Sequence, residues 1–247
     1  GVIGCDDNYR IVDWEEKPQN PKTIPGDPNT SFVSMGVYIF NTETLVKNVI
    51  ADAKNKNSSH DFGKDIVPQM IDNSKVVVHS FKEPGSQGGR YWRDIGTLDA
   101  YWAANIDLCS ATPQCNLYDE FWPIRTYQLQ APPAKIVQTK VKGQSAPKKS
   151  QIVNSILSGG CLINGAEVKN SVLSHNVVLD TGSSLNDVVA LDGVRIGAGA
   201  KIRKAILDQD VSIPEGYSIG YDRELDSARF SISPEGVVVV PQGMSLK

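Results

Sequence analysis

Asn154-Ser-Ile-Leu-Ser-Gly-Gly-Cys-Leu-Ile163, Asn170-Ser-Val-Leu-Ser-His-Asn-Val-Val-Leu179, Asp187-Val-Val-Ala-Leu-Asp-Gly-Val-Arg-Ile196 and Lys204-Ala-Ile-Leu-Asp-Gln-Asp-Val-Ser-Ile213 can be laid over one another without a gap. Their starts, at 154, 170, 187 and 204, are 16, 17 and 17 residues apart. Apolar residues recur in register at Ile156/Val172/Val189/Ile206, at Cys161/Val177/Val194/Val211 and at Ile163/Leu179/Ile196/Ile213. Six residues beyond the last row come Leu185, Ile202 and Ile219. A six-residue step inside a coil of about seventeen predicts a triangular solenoid with three short strands per turn. Each strand is expected to turn one aliphatic residue inward, with Gly165, Gly182, Gly197 and Gly216 at the corners. An antiparallel sandwich would require the agreement of four segments at three positions to be chance.

Upstream of the repeat the texture differs. Residues 1 to 110 mix strand-like and helix-like segments, which predicts an α/β layered domain. Val2–Cys5 and Ile11–Trp14 flank the turn-forming Asp6-Asp7-Asn8 and read as a β-hairpin. Asn20 to Thr30 carries Pro21, Pro25 and Pro28 and reads as a loop. Ser34 to Phe40 suits a central strand, after which Leu45, Val46, Val49 and Ile50 give a helical face. Val76–Phe81 and Arg90–Trp92 read as further strands, and Thr97 caps a helix with the face Leu98, Tyr101, Trp102 and Asn105. Residues 111 to 150 hold Pro113, Pro123, Pro132, Pro133 and Pro147 and read as an extended linker. Phe121, Trp122 and Tyr127 are expected to pack that linker on the first domain. The solenoid domain follows, from 151 to 247.

The composition limits the function classes. The 247 residues carry a formal charge of −3, so there is no basic field for nucleic acid. No apolar run reaches the length of a membrane span. Cys5, Cys109, Cys115 and Cys161 show no metal-binding spacing and read as buried free thiols, which favours the cytoplasm.

Three short stretches have ligand-binding chemistry. Trp14-Glu-Glu-Lys-Pro18 ends a strand and enters the proline-rich loop; its lysine suits a phosphate and its carboxylate suits sugar hydroxyls. A solvated charged strand end is the plain alternative. Ser58-Ser-His-Asp-Phe-Gly-Lys-Asp-Ile66 offers Ser59 or Asp61 as a helix cap, or else a polar run facing a sugar ring over Phe62. In Arg90-Tyr-Trp-Arg-Asp-Ile-Gly-Thr97, Asp94 reads either as a cap or as one carboxylate of a Mg²⁺ site whose partner is not identifiable in this chain.

In their order, these stretches together with Ser34-Met-Gly-Val-Tyr38, Trp122-Pro-Ile-Arg-Thr-Tyr127, Pro132-Pro-Ala-Lys135 and Ser158-Gly-Gly-Cys161 resemble bacterial glucose-1-phosphate adenylyltransferases (ADP-glucose pyrophosphorylases). The resemblance runs from Gly1 to Val240. It implies part of a Rossmann-like nucleotidyltransferase domain with a mixed sheet, followed by a left-handed parallel β-helix. It also implies transfer of AMP from ATP to glucose 1-phosphate, giving ADP-glucose and pyrophosphate for glycogen or starch synthesis. By resemblance, Lys17 binds the phosphate of glucose 1-phosphate, Glu16 the sugar, and Gly1 lies at the sugar-phosphate site. Ser34, Tyr38, Asp61, Phe62 and Trp92 line the glucose pocket, and Asp94 is one of two aspartates holding the catalytic Mg²⁺. Homotetramers under allosteric control are typical of the family.

The chain departs from the family pattern in two ways. The glycine-rich nucleotide loop with which the family begins is not found, nor is the second metal-binding aspartate. The expectation is therefore a C-terminal fragment, inactive by itself, with an unpaired sheet edge and exposed apolar surface. Arginines that some relatives use for effectors correspond to Gln209 and Gln242, while Lys201, Arg203 and Lys204 read as a solvated basic edge; no effector residue is carried over. Rival readings are another sugar-phosphate nucleotidyltransferase, a β-helix acyltransferase using His175, and a non-catalytic regulatory or assembly module in which Val237–Val240 forms an edge strand.

Overall fold

The computed structural model describes residues 1–81, 91–125, 127–139 and 147–246. It divides into two compact units, Gly1–Trp92 and Arg93–Lys247.

In the first unit, β1 (Val2–Cys5) and β2 (Ile11–Glu15) form the expected antiparallel hairpin, with a register shift between Gly4 and Cys5. Asp6 Oδ1 accepts from the backbone of Asn8 and Arg10, and Tyr9 takes φ 59°, so the acid closes the turn. The far side of β1 pairs with β3 (Phe32–Val33). The proline-rich loop is tied back to β2 by an ion pair between Lys22 and Asp13, which holds the Asp13 carboxyl below its usual range.

The strand expected over Ser34–Phe40 does not form; the ladder stops at Val33. Strands exist by pairing, and among the described residues none lies beside this stretch. Gly36 bends it with φ 71°, and Val37 and Ile39 stand 74% and 101% exposed. Val76–Phe81 likewise makes only an isolated bridge, Val77 to Arg10, and Arg90–Trp92 falls partly outside the described residues. Helix α1 (Thr42–Ala53) starts where expected, with Asn41 Oδ1 accepting from Glu43 N. Its Val46, Val49 and Ile50 face is exposed. A π-helical turn, Phe62–Ile66, leads into α2 (Val67–Asn73), which supplies the buried Val67 and Met70.

The second unit is a left-handed β-helix of about four turns. Its strands stack in three parallel ladders. One runs through Lys135–Val137, Leu162–Asn164, Val178–Leu179, Arg195–Ile196 and Ser212–Ile213. The second runs through Gln151–Val153, Glu167–Lys169, 184–186, 201–203 and Ser218–Ile219. The third runs through Ile156–Leu157, Val172–Leu173, 188–190, 205–207 and Val238–Val240. Coil building thus begins at Lys135, within the proline-rich stretch.

Three sets of backbone corners have positive φ. Asn154, Asn170, Asp187 and Lys204 form one set, and Gly160, Asn176, Gly193 and Asp210 the second. Gly165, Gly182, Gly199 and Gly216 form the third. Gly197, expected at a corner, has an ordinary φ; it is glycine because a Cβ there would sit 2.6 Å from Glu215 N.

The inward rows Cys161/Val177/Val194/Val211 and Ile163/Leu179/Ile196/Ile213 are each at most 3% exposed. The row Ile156/Val172/Val189/Ile206 does not point inward as expected. Leu173, Ala190 and Leu207, one residue further on, fill the interior. Because strand side chains alternate, Val189 and Ile206 point out, and α3 (Leu98–Asp107) covers them with Tyr101, Trp102 and Ile106. Thr97 Oγ1 caps α3, Trp102 Nε1 donates to Asp187 O at 2.9 Å, and Asp99 accepts from Ser233 Oγ. This helix, grouped by sequence with the first domain, is thus docked on the coils.

Other expectations are corrected. Phe121, Trp122 and Tyr127 are 101%, 53% and 83% exposed in the second unit. All four cysteines are free, but only Cys109 and Cys161 are buried, and burial pushes both thiols up. In the basic edge, Arg203 donates to Gly220 O, and Lys204 donates to Glu235 O over the Trp102 ring. Val238–Val240 pairs within the domain, after α4 (Arg223–Ser227) and Phe230 have closed the last coil.

Leu179→Ala should lower the stability of the β-helix by about 2–5 kcal/mol, whereas Ile136→Ala, at a half-exposed edge, should cost less than about 1 kcal/mol. Urea unfolding followed by circular dichroism measures both.

Candidate functional site

The end of β2 and the π-helical turn face each other across an open cleft of about 740 Å³ in the first unit. Six of the residues singled out by sequence line it: Gly1, Glu16, Ser34, Tyr38, Asp61 and Phe62. Trp14, Gly36, Phe40, Leu45, His60, Gly63 and Lys64 complete the lining.

The floor is aromatic. Tyr38 and Phe62 stack at 5.9 Å and 25°, and Phe40 lies 5.8 Å from Phe62. The Tyr38 hydroxyl is 3.0 Å from Ser34 Oγ, and Ser34 N donates to Gly1 O, so this wall is tied to β1. Gly1 N lies 3.2 Å from Glu16 Oε2. A Cβ on Gly1 would come 2.5 Å from Trp14 Nε1, so no larger residue fits over that indole.

The opposite wall is set by reciprocal capping. Asp61 Oδ1 accepts from Gly63 N at 2.7 Å and Lys64 N at 2.9 Å. Asp65 Oδ2 reaches back to Asp61 N at 3.0 Å and to Ser59 Oγ at 2.6 Å. The wide turn is sealed by Ile66 N donating to Asp61 O and Val67 N to Phe62 O, five residues apart. Of the two caps considered from sequence, Asp61 fills the role and Ser59 serves Asp65. The cap uses only Oδ1 of Asp61; Oδ2 has no hydrogen-bond partner among the described residues, and Asp61 lines the cleft. Asp65 is held below the usual carboxylate range by Ser59 and the Asp61 backbone, and Asp52 by Ser58 and His60.

Lys17 and Trp92 are not part of this wall. Lys17 is exposed, next to Glu16, in the left-handed region with φ 47°. Trp92 is 38% exposed at the end of the first unit. Asp94 belongs to the second unit, is exposed, and spends Oδ1 on Gly96 N at 2.9 Å. Among the described residues no group of three or more His, Cys, Asp or Glu converges as a metal cage. Trp14 and His60 lay inside the stretches singled out by sequence but were not assigned there. Phe40 had a weaker signal, its spacing of two from Tyr38. On the β-helix, His175 N donates to Asp192 and its ring lies 3.5 Å from the same carboxylate.

Comparison with known proteins places this geometry. Residues 1–111 match the nucleotidyl transferase family model, and residues 132–240 match the GlmU-like, C-terminal hexapeptide model. The chain thus joins a nucleotidyltransferase segment to a hexapeptide β-helix, and 98–107 belongs to the first by sequence while packing on the second. It is 44% identical to the glucose-1-phosphate adenylyltransferase of Methylobacillus flagellatus, over 99% of this chain and 57% of the relative. Similarity to the enzymes of that name in Dechloromonas aromatica (44%, covering 99% and 55%) and Shewanella sp. strain ANA-3 (45%, covering 99% and 57%) is comparable. The chain is thus similar over almost its whole length to glucose-1-phosphate adenylyltransferases, and it spans little more than half the length of these relatives. No helix among the described residues is long and apolar enough to cross a membrane.

The depressed carboxyls set a pH dependence. A carboxyl lowered by native partners stabilises the fold above its unfolded pKa of about 3.9, and that contribution is lost as pH falls through the lower folded value. The first unit should therefore lose stability on acidification below about pH 5, through the ordinary carboxyl range and on to the lower folded values. Asp52→Asn and Asp65→Asn should each lower the melting temperature at neutral pH and flatten this acid limb in thermal scans.

Proposed function

We propose that the cleft binds glucose 1-phosphate as the acceptor in an adenylyl transfer from ATP. The observation that carries the reading is the convergence of Gly1, Glu16, Ser34, Tyr38, Asp61 and Phe62 on one cleft. Stacked rings offer an apolar platform for a sugar face, while Glu16, Asp61 and the Ser34–Tyr38 hydroxyl pair offer partners to its hydroxyls. Lys17, exposed beside Glu16, supplies a compact positive charge for the phosphate.

In this reaction an oxygen of the sugar phosphate attacks the α-phosphorus of ATP, the α–β bridging bond breaks, and pyrophosphate leaves with the electron pair. Little covalent work falls to the protein; positioning and charge neutralisation dominate. Mg²⁺ is bound by one or two carboxylates completed by phosphate oxygens and water, a pattern that Asp94 fits as a single ligand through its second oxygen. When bound, the ion would neutralise charge on the phosphates. The same reading makes the parent enzyme a cytoplasmic, allosteric homotetramer serving glycogen or starch synthesis. The open edge of the first coil, with Ile136 and Val153 half exposed, is a surface that subunit contact would cover.

Calorimetric titration tests the acceptor site. Glucose 1-phosphate should bind the chain more tightly than glucose or inorganic phosphate. Lys17→Ala should weaken glucose 1-phosphate by about ten- to a hundredfold, the worth of a charge-assisted hydrogen bond, and leave glucose unchanged. Equal binding by Lys17→Ala and the unaltered chain would sink the assignment. By itself the 247-residue chain is expected to bind the sugar phosphate without forming ADP-glucose; product from the purified chain would overturn that part.

A further inference from the structure

Beside the assigned wall lies an acid–histidine pair that the acceptor-site reading leaves unused. Asp52, on the last turn of α1, is only 6% exposed, and a buried carboxylate is costly without partners. Two partners meet it: Ser58 Oγ at 2.6 Å on one oxygen and His60 Nδ1 at 2.8 Å on the other. Ser58 Oγ also accepts from His60 N at 3.0 Å, so the serine holds both members of the pair.

The protonation pattern follows from donor counting. Ser58 and His60 keep the Asp52 carboxyl below its usual range, so it is ionised and can only accept. The proton in the Asp52–His60 bond must then lie on Nδ1, so that whenever the ring carries a single proton Nε2 is an acceptor. Nε2 has no partner among the described residues, and the ring is 57% exposed while lining the cleft. His60 is held there with φ 60°, a conformation uncommon for a residue with a Cβ and concentrated at functional positions. Asp61 and Phe62 follow it directly on the same wall.

We propose that His60 is a further ligand-contacting residue of the cleft, whose Nε2 accepts a hydrogen bond from a hydroxyl of the bound sugar ring. Asp52 is the positioning residue that fixes the tautomer. The proposal rests on the acceptor-site reading and adds a contact to it. An acceptor-rich wall of Glu16, Asp61 and His60 Nε2 selects a ligand rich in hydroxyl donors.

Long-range ¹H–¹⁵N correlation spectra of the uniformly labelled chain test it, with His175 as the internal control. His60 should show the Nδ1–H tautomer in the free chain, and Asp52→Asn should abolish that preference. Glucose 1-phosphate should shift His60 Nε2 and leave His175 unmoved. His60→Ala should weaken glucose 1-phosphate about three- to tenfold, the worth of a neutral hydrogen bond. His60→Asn, which keeps an acceptor and tolerates the left-handed backbone, should recover most of that loss. Unchanged resonances of the β1–β2 hairpin and of α2 in each variant show that the first unit is intact. If Tyr38 and Phe62 resonances move with ligand while His60 does not, or if His60 gains a proton on Nε2, this proposal fails and the acceptor site stands. If none of these resonances moves, the acceptor site fails and this proposal with it.

Discussion

Each coil of the β-helix closes because three corners per turn hold positive φ while aliphatic side chains stack on the equivalent residues of the next coil. The two requirements support each other. Corners at Asn170, Asn176 and Gly182 aim the intervening residues inward, and the rows through Val177, Leu179 and Leu185 remove that inward surface from water. Asparagine, aspartate and glycine suit such corners because a short polar side chain or no side chain lowers the cost of the left-handed region. Corner side chains add bonds between coils, as where Asn170 Nδ2 meets Asp187 Oδ1. Lys204 is the exception, and there the cation over Trp102 and the bond to Glu235 O anchor the side chain instead.

That regular column also explains the position of α3. Strand alternation gives each coil an outward residue as well as an inward one, and on one face the outward residues Val189 and Ile206 are apolar. Such a face must be covered, and Tyr101, Trp102 and Ile106 cover it. The bonds from Trp102 to Asp187 O and from Ser233 to Asp99 fix the helix along and across the column. A segment that matches the nucleotidyltransferase model by sequence is thus held by the solenoid.

The cleft is built differently, from turns. Asp6 closes the hairpin that delivers Glu16, Asp61 and Asp65 cap each other around a π-helical turn, and Ser58 fastens Asp52 to His60. These polar side chains bond to nearby backbone, which lets a small unit hold side chains toward an open space with few buried apolar residues. Side chains spent on such bonds still expose atoms for a ligand: the second oxygen of Asp61, the far nitrogen of His60 and the Tyr38–Ser34 hydroxyls.

The sequence alone determined the repeat, its coil length, the identity of the inward rows at Cys161 and Ile163, the β1–β2 hairpin and the capping residue Thr97, and it narrowed a second cap to Ser59 or Asp61. All of these follow from local periodicity or local hydrogen bonding. It also marked Glu16, Ser34, Tyr38, Asp61 and Phe62, because they lie in short stretches whose order resembles a family. Only the tertiary structure decided which of two adjacent apolar residues, Val189 or Ala190, faces inward, since a strand buried on both faces carries no alternation to read. It likewise decided that Ser34–Phe40 stays unpaired, because a strand depends on a neighbour that no local pattern encodes. The pairing of Asp52 with His60, eight residues apart, was also illegible, because it depends on how the chain turns back after α1 to bring a buried acid under an exposed ring.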